Sequence, residues 1–319
     1  MGVVVRKSSP VVVTPSEPPA KTTASTIRLS SFDVALYTIP ATVLLMFEQP
    51  IPDAAETIKR ALSKTLVHYY PIAGRIIAGA DGGEVHIHCN GEGVTFISAT
   101  ADCALKEAMS LDRSPGGRTL LDELAVYYPA MRCGPTDPLM LMQVTEFSCG
   151  GFVVGVTANH AVGDGAGWAQ FLQAVGELAR GFSAHPLCRS VVATSGVVAN
   201  GDIMDLVAMI KQSKEKIPEQ FKKSKGTNLQ EPVDQKRQLD HQLRYNMLTV
   251  SSWRNLGFDK VDFGSGRAAR VTPYAHDKLP FPTCMMSLPH KGKDGANIFT
   301  AMLKLEHVDT FLKELTRFT

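Results

Sequence analysis

The sequence predicts a chain of the α/β class, on three observations. The run Gly151 to Val156 (GFVVGV) is small and β-branched and reads as a buried strand. From Gly167 onward, Trp168, Phe171, Leu172, Val175, Leu178 and Ala179 recur at helical spacing, with Gly181 placed as a stop. Further upstream, a helical pattern opened by Asp53 gives way to β-like runs between Ile76 and Val94. A chain of 319 residues that is 44% hydrophobic can bury a large core, and its length suggests about two domains.

Taken in order, Val3 to Val5 and Val11 to Val13 read as short strands separated by Lys7-Ser8-Ser9-Pro10, followed by a Pro- and Thr-rich connector from Thr14 to Thr26. In the helix that Asp53 opens, Ala54, Ile58, Ala61, Leu62, Leu66 and Tyr69 share one face, and Pro71 limits its length. Asp81-Gly82-Gly83 and Asn90-Gly91 punctuate the runs from Ile76 to Val94, which predicts two hairpin turns. Asp202 begins a helix carrying Ile203, Leu206, Val207 and Ile210, and its continuation from Lys211 to Lys216 is charged and solvated before Pro218. The stretch from Phe221 to Arg244, rich in Lys, Gln and Asp, reads as exposed surface rather than a partner site. No internal repeat of solenoid period is present.

Composition excludes several classes. A net charge of +2 offers no basic field for nucleic acid. The six cysteines, Cys89, Cys103, Cys133, Cys149, Cys188 and Cys284, have no CxxC spacing, which fits reduced thiols better than a disulfide frame. There is no glycosylation sequon and no apolar run of membrane length, Met1-Gly2 is not followed by the myristoylation pattern, and Val3 to Val5 is too short for a signal core. The expected location is the cytoplasm.

Chemistry concentrates in Asn159-His160-Ala161-Val162-Gly163-Asp164-Gly165, where one histidine ends the strand-like run and precedes the helix. A junction of that kind can orient an imidazole and leave it reachable, so His160 is the candidate base. The plainer reading is a hydrogen-bonded core histidine. Glycines at 163, 165 and 167 argue against it, because each weakens regular structure by about 0.5 to 1 kcal/mol relative to Ala. Asp164 could fix the turn, cap the following helix or pair with a distant Arg.

Other candidates are weaker. His86-x-His88 would place two imidazoles on one side of a strand, but a zinc hydrolase using them with His160 lacks a third ligand at a credible spacing. Gly91-x-Gly93 is not a nucleotide loop, since no GxGxxG follows. Ser265 is not a nucleophile elbow, because Phe263 takes the position of the first required glycine.

The residues from His160 to Gly165 resemble the HxxxD signature of the plant BAHD acyl-CoA-dependent acyltransferases, and Val261-Asp262-Phe263-Gly264-Ser265-Gly266 resembles their DFGWG motif. Further segments agree in the same order, among them Leu29 to Asp33, Pro71 to Arg75, Cys89 to Phe96, Gln143 to Thr145, Cys149 to Phe152, Gly176 to Gly181 and Ser252-Trp253. The resemblance implies two chloramphenicol-acetyltransferase-like domains with mixed sheets. These are an N-terminal domain over residues 1–185 and a C-terminal domain over residues 186–319 that is incomplete. It implies a monomer that moves an acyl group from acyl-CoA, a co-substrate rather than a resident cofactor, to a hydroxyl or amine of a small plant metabolite. His160 would be the general base; Asp164, Gly165, Asp262, Phe263, Gly264 and Gly266 would be structural; no metal is implied.

Two departures from the family stand out. Its chains are longer, and its usual Pro-x-Trp-x-Arg is missing after Arg180-Gly181, so a block carrying the interdomain crossover and part of the acyl-CoA and acceptor surface is expected to be absent. The Arg that would pair with Asp164 is expected in that block, leaving the carboxylate short of a partner. The second departure is Ser265 where the family has Trp. The alternative to an active enzyme is a non-catalytic, truncated family member that retains at most ligand or partner binding.

Overall fold

The computed structural model describes residues 3–18, 25–78, 84–110, 115–129, 132–182, 249–274, 283–289, 291–300 and 305–315. The segments Met1–Ala184 and Leu248–Thr319 form one compact unit. The helix expected from Asp202 and the polar stretch 221–244 lie outside the described residues.

The frame is a mixed seven-stranded sheet. Its strands are β1 (Val5–Lys7), β2 (Val11–Val13), β4 (Pro40–Phe47), β7 (Val94–Ala101), β8 (Met140–Phe147), β9 (Phe152–Asn159) and β11 (Arg270–Tyr274). Their order is β1-β7-β8-β9-β4-β11, with β2 also on β7. Only β7 and β8 run parallel; the other pairs are antiparallel. All eight residues of β9 are buried, as expected of a strand with neighbours on both edges and helices on both faces.

Alternation along β4 shows how the sequence builds two layers. Val43, Leu45 and Phe47 join the core formed with α2 (Ala54–His68) and α5 (Gly165–Ala179), whereas Leu44 and Met46 face the other way. The second face packs on α3 (Leu105–Ser110) and α4 (Pro115–Glu123) through Leu105, Ala108, Leu120 and Leu121. Helix α2 buries Ala54, Ile58, Ala61, Leu62 and Leu66, the face expected from its spacing.

Two three-stranded sheets complete the described fold. One is β3 (Thr26–Arg28), β6 (Val85–His88) and β5 (Arg75–Ala78); the other is β10 (Thr249–Ser252), β12 (Thr283–Ser287) and β13 (Asn297–Thr300). The remaining helices are α1 (Ser31–Leu36), closed by a reciprocal Ser30–Asp33 capping box, and α6 (Val308–Leu315).

Two expectations change. The expected strand Val3 to Val5 forms two residues later, as β1. Asn90-Gly91 does not close a hairpin: β6 belongs to the small sheet and β7 to the large one, so this turn carries the chain between sheets. Gly91 adopts φ 71°, as a turn into either destination requires, and the local signal cannot tell the two apart.

Candidate active site

The junction after β9 is held from the backbone outward. Asn159, 1% exposed, donates through Nδ2 to the Tyr37 carbonyl (2.8 Å) and accepts the Ala161 N–H at Oδ1 (2.9 Å). Its own N–H donates to the Leu139 carbonyl (2.9 Å), and the His160 N–H donates to Ile39 (3.0 Å). These bonds fix the main chain on each side of the imidazole and use none of its nitrogens. His160 Nδ1 is buried and has no hydrogen-bond partner.

Behind this brace, Cys133 N–H donates to the Thr38 carbonyl (3.1 Å). Burial pushes the Cys133 thiol up to about 12, so it packs as a neutral group rather than serving as a nucleophile. Cys89, Cys103, Cys133, Cys149 and Cys284 are free thiols.

His160 lines a small cavity of about 30 Å³ together with Thr42, Val156, Gly163, Trp168 and Trp253. Its walls are largely apolar. Trp168 is 6% exposed, and its Nε1 is a second buried nitrogen without a partner. Trp253, stacked on Phe258 with ring centroids 5.5 Å apart, comes from the late part of the chain, so the cavity joins segments far apart in sequence.

Asp164 turns away from this chemistry. It is exposed, and its Oδ1 accepts the Gly167 N–H (2.8 Å), making it the N-cap of α5. Among the described residues it makes no ion pair. The expectation of a carboxylate short of a partner therefore gives way to a solvated, satisfied cap. Gly165 begins the helix where a Cβ would come within 2.5 Å of Leu256 Cδ1.

The segment Val261 to Gly266 lies at the other end of α5. Asp262 Oδ1 accepts both the Gly264 N–H (2.8 Å) and the Gly266 N–H (2.9 Å), and Oδ2 lies 3.5 Å from Arg180 Nη1. Gly264 and Gly266 have φ of 113° and 81°, values that strain any residue with a Cβ. Phe263 is 1% exposed and meets Phe47 edge-on at 5.3 Å, while Phe47 stacks on Phe152 at 4.9 Å. Ser265 Oγ reaches only the Gly266 carbonyl (3.5 Å). His160 and the Asp262 loop are thus separate constellations at opposite ends of one helix.

His86 and His88 alternate with buried Val85 and Ile87 on β6. Among the described residues no group of three or more His, Cys, Asp or Glu side chains is placed to hold a metal ion. None of the described helices is long and apolar enough to cross a membrane.

Known proteins resemble this chain in sequence and fold. The family described as "Transferase family" matches residues 3–242 and 187–317. Acyl transferase 15 of Oryza sativa subsp. japonica is 36% identical over an alignment of 438 positions, covering 99% of each chain. Benzyl alcohol O-benzoyltransferase of Petunia hybrida is 35% identical over 56% of this chain and 39% of its own length. The chain belongs to the BAHD acyltransferase family.

As a BAHD member it is an acyltransferase, with the chloramphenicol-acetyltransferase-like fold. Crystalline vinorine synthase superposes with a TM-score of 0.62 at 18% identity, over 96% of this chain and 98% of that one. TRI101 of F. sporotrichioides, crystallised with coenzyme A and T-2, gives 0.56 at 14% identity, over 90% and 96%. The alignment to the rice BAHD relative is 438 residues long against a chain of 319, with both proteins covered end to end. That relative therefore has internal residues without a counterpart here.

Sequence reasoning missed two neighbours of His160. Asn159 reads only as the end of an apolar run, although a polar residue at a strand position buried on both faces is itself a signal of a required hydrogen bond. Trp168 reads as helix core, and its unpartnered N–H emerges only from three-dimensional packing.

Proposed function

We propose that this chain transfers an acyl group from acyl-CoA to a hydroxyl or amine of a small plant metabolite, with His160 as general base. The observation that carries the reading is that His160 lines a cavity and holds a buried, unpartnered Nδ1, behind a main chain fixed by four hydrogen bonds from Asn159, His160 and Ala161. His160 takes the acceptor's proton as its oxygen or nitrogen attacks the thioester carbonyl. The carbon–sulfur bond then breaks, and the proton passes to the departing thiolate, giving ester or amide and free CoA. No acyl-enzyme is needed, since the thioester is already activated and holding both substrates lowers the barrier further. The coenzyme A bound in the TRI101 crystals supports the donor class.

In this reading Asp164, Gly165, Asp262, Phe263, Gly264 and Gly266 serve structure, and residues 1–185 and 186–319 are the complete and shortened domains of a cytoplasmic monomer. A second reading, a non-catalytic truncated member, is favoured by the internal residues that the rice relative has and this chain lacks, and by a cavity of about 30 Å³. Ligand pockets typically span about 300 to 1,000 Å³.

One measurement separates the two. Purified chain given benzoyl-CoA and benzyl alcohol should release CoA and form ester, and His160→Ala should lower the rate by about 10²- to 10⁴-fold with an unchanged melting temperature. CoA release that is the same in both proteins, or absent from the wild type across a panel of acyl-CoA donors and acceptors, overturns the catalytic reading.

A further inference from the structure

We infer that Trp168 is a specificity-determining residue that selects alcohol over amine acceptors, by donating its indole N–H to the acceptor oxygen beside His160. The inference rests on the acyl-transfer reading above and extends it to the class of acceptor.

Two nitrogens carry the argument. His160 and Trp168 line the same cavity, and each holds a buried nitrogen without a partner, Nδ1 and Nε1. An indole nitrogen is a donor only, and leaving it unpaired in an apolar wall is unfavourable. Gly163, also on the cavity wall, faces it: a Cβ there would lie 3.6 Å from Trp168 Nε1 and 3.7 Å from Cδ1. A side chain at this position of the HxxxD motif would therefore occupy space directly against the N–H. Gly163 is not among the glycines with positive φ, so backbone conformation does not account for it.

The acceptor atom must satisfy both groups and still react. An alcohol oxygen can do so. Its O–H points to His160, one lone pair accepts from Trp168, and the second lone pair remains to attack the thioester carbonyl. A neutral amine has one lone pair. If that pair attacks, the Trp168 N–H stays unpaired; if it accepts from Trp168, the nitrogen is no longer a nucleophile. A site built to hydrogen-bond a substrate oxygen rejects analogues that cannot make the bond. Products then balance as ester and CoA thiol, with the hydroxyl proton carried by His160.

Trp168→Phe tests this, because a ring remains to meet Phe171, now edge-on at 5.8 Å, while the donor is lost. Rates are read with benzoyl-CoA and either benzyl alcohol or benzylamine. The alcohol-to-amine ratio of kcat/KM should fall about tenfold in Trp168→Phe, and Gly163→Ala, which fills the approach, should move the ratio the same way. With the protein labelled on its indole nitrogens, the Trp168 N–H proton resonance should shift downfield on adding benzyl alcohol and stay in place with benzylamine. An unchanged ratio in Trp168→Phe, or equal losses with both acceptors, overturns the inference. So does an indole resonance indifferent to benzyl alcohol. If His160→Ala abolishes transfer while Trp168→Phe leaves the ratio untouched, this inference alone fails; if His160→Ala leaves transfer intact, the general-base reading fails first.

Discussion

Helix α5 is anchored by opposite strategies at its two ends. At the N-terminal end the backbone is fully tied, yet His160 Nδ1 and Trp168 Nε1 are left without partners. At the C-terminal end Asp262 is met by two backbone N–H groups and by Arg180, and buried Phe263 meets Phe47 edge-on. A buried polar group without a partner is unfavourable for folding, so its retention beside a cavity is what the proposed substrate site would explain. A loop whose bonds are already complete marks scaffold. Both segments are motifs in sequence, and only their hydrogen-bond accounting separates their duties.

The largest test of the contrast is at the scaffold end. Gly176 brings α5 so close to the Asp262 loop that a Cβ would lie 2.4 Å from the Asp262 carbonyl oxygen. Gly to Ala in a free helix stabilises by about 1 kcal/mol. Here Gly176→Ala should instead destabilise by about 1–3 kcal/mol, because rigid main chain must move. Urea unfolding checks the sign, and a gain in stability would break the comparison.

A smaller effect is expected at Asp164. Asp164→Ala removes the cap and should cost about 1 kcal/mol in the same assay. Asp164→Asn keeps an oxygen for the Gly167 N–H and should keep both stability and acyl transfer. An inactive but folded Asn variant would move Asp164 into the chemistry and erase the distinction between the two residues of HxxxD.

The smallest test concerns the packing behind His160. The folded chain holds a proton on Cys133 that the unfolded chain releases near the ordinary thiol value of 9. Stability is therefore fully present below that pH and falls as pH rises from 9 towards 12. Denaturation midpoints at pH 8 and pH 10 check this: the drop should be smaller in Cys133→Ser than in the wild type, while Cys89, Cys103 and Cys284, whose thiols burial also raises, contribute to both.

How much of this was legible follows from the range of each signal. The strand before His160 and the helix after it were readable because each repeats with its own period over many residues. His160 stood out because glycines at 163, 165 and 167 weaken regular structure on its helix side, although close packing against Leu256 accounts for the one at 165. The destination of β7 was not readable, since Asn90-Gly91 gives the same local turn signal whether the chain folds back or crosses to another sheet. Asp164 illustrates a third case: its three possible roles were visible, but only its exposure and the 2.8 Å bond from Gly167 decide among them. The Trp168 donor was hidden because helical spacing reports which face is apolar and says nothing of an indole N–H within that face.

The placement of β11 also bears on how the molecule is made. It covers the edge of β4 in an antiparallel register running from Arg270↔Met46 to Tyr274↔Thr42. A chain emerging from the ribosome has released β4 more than two hundred residues before its neighbour is synthesised. Both borders of this apolar strand are unpaired until β9 is made, and one stays so until β11 follows, the kind of surface that nascent chains lose to aggregation. Late arrival of the closing strand thus makes the half-made sheet the most vulnerable stage in the birth of this fold.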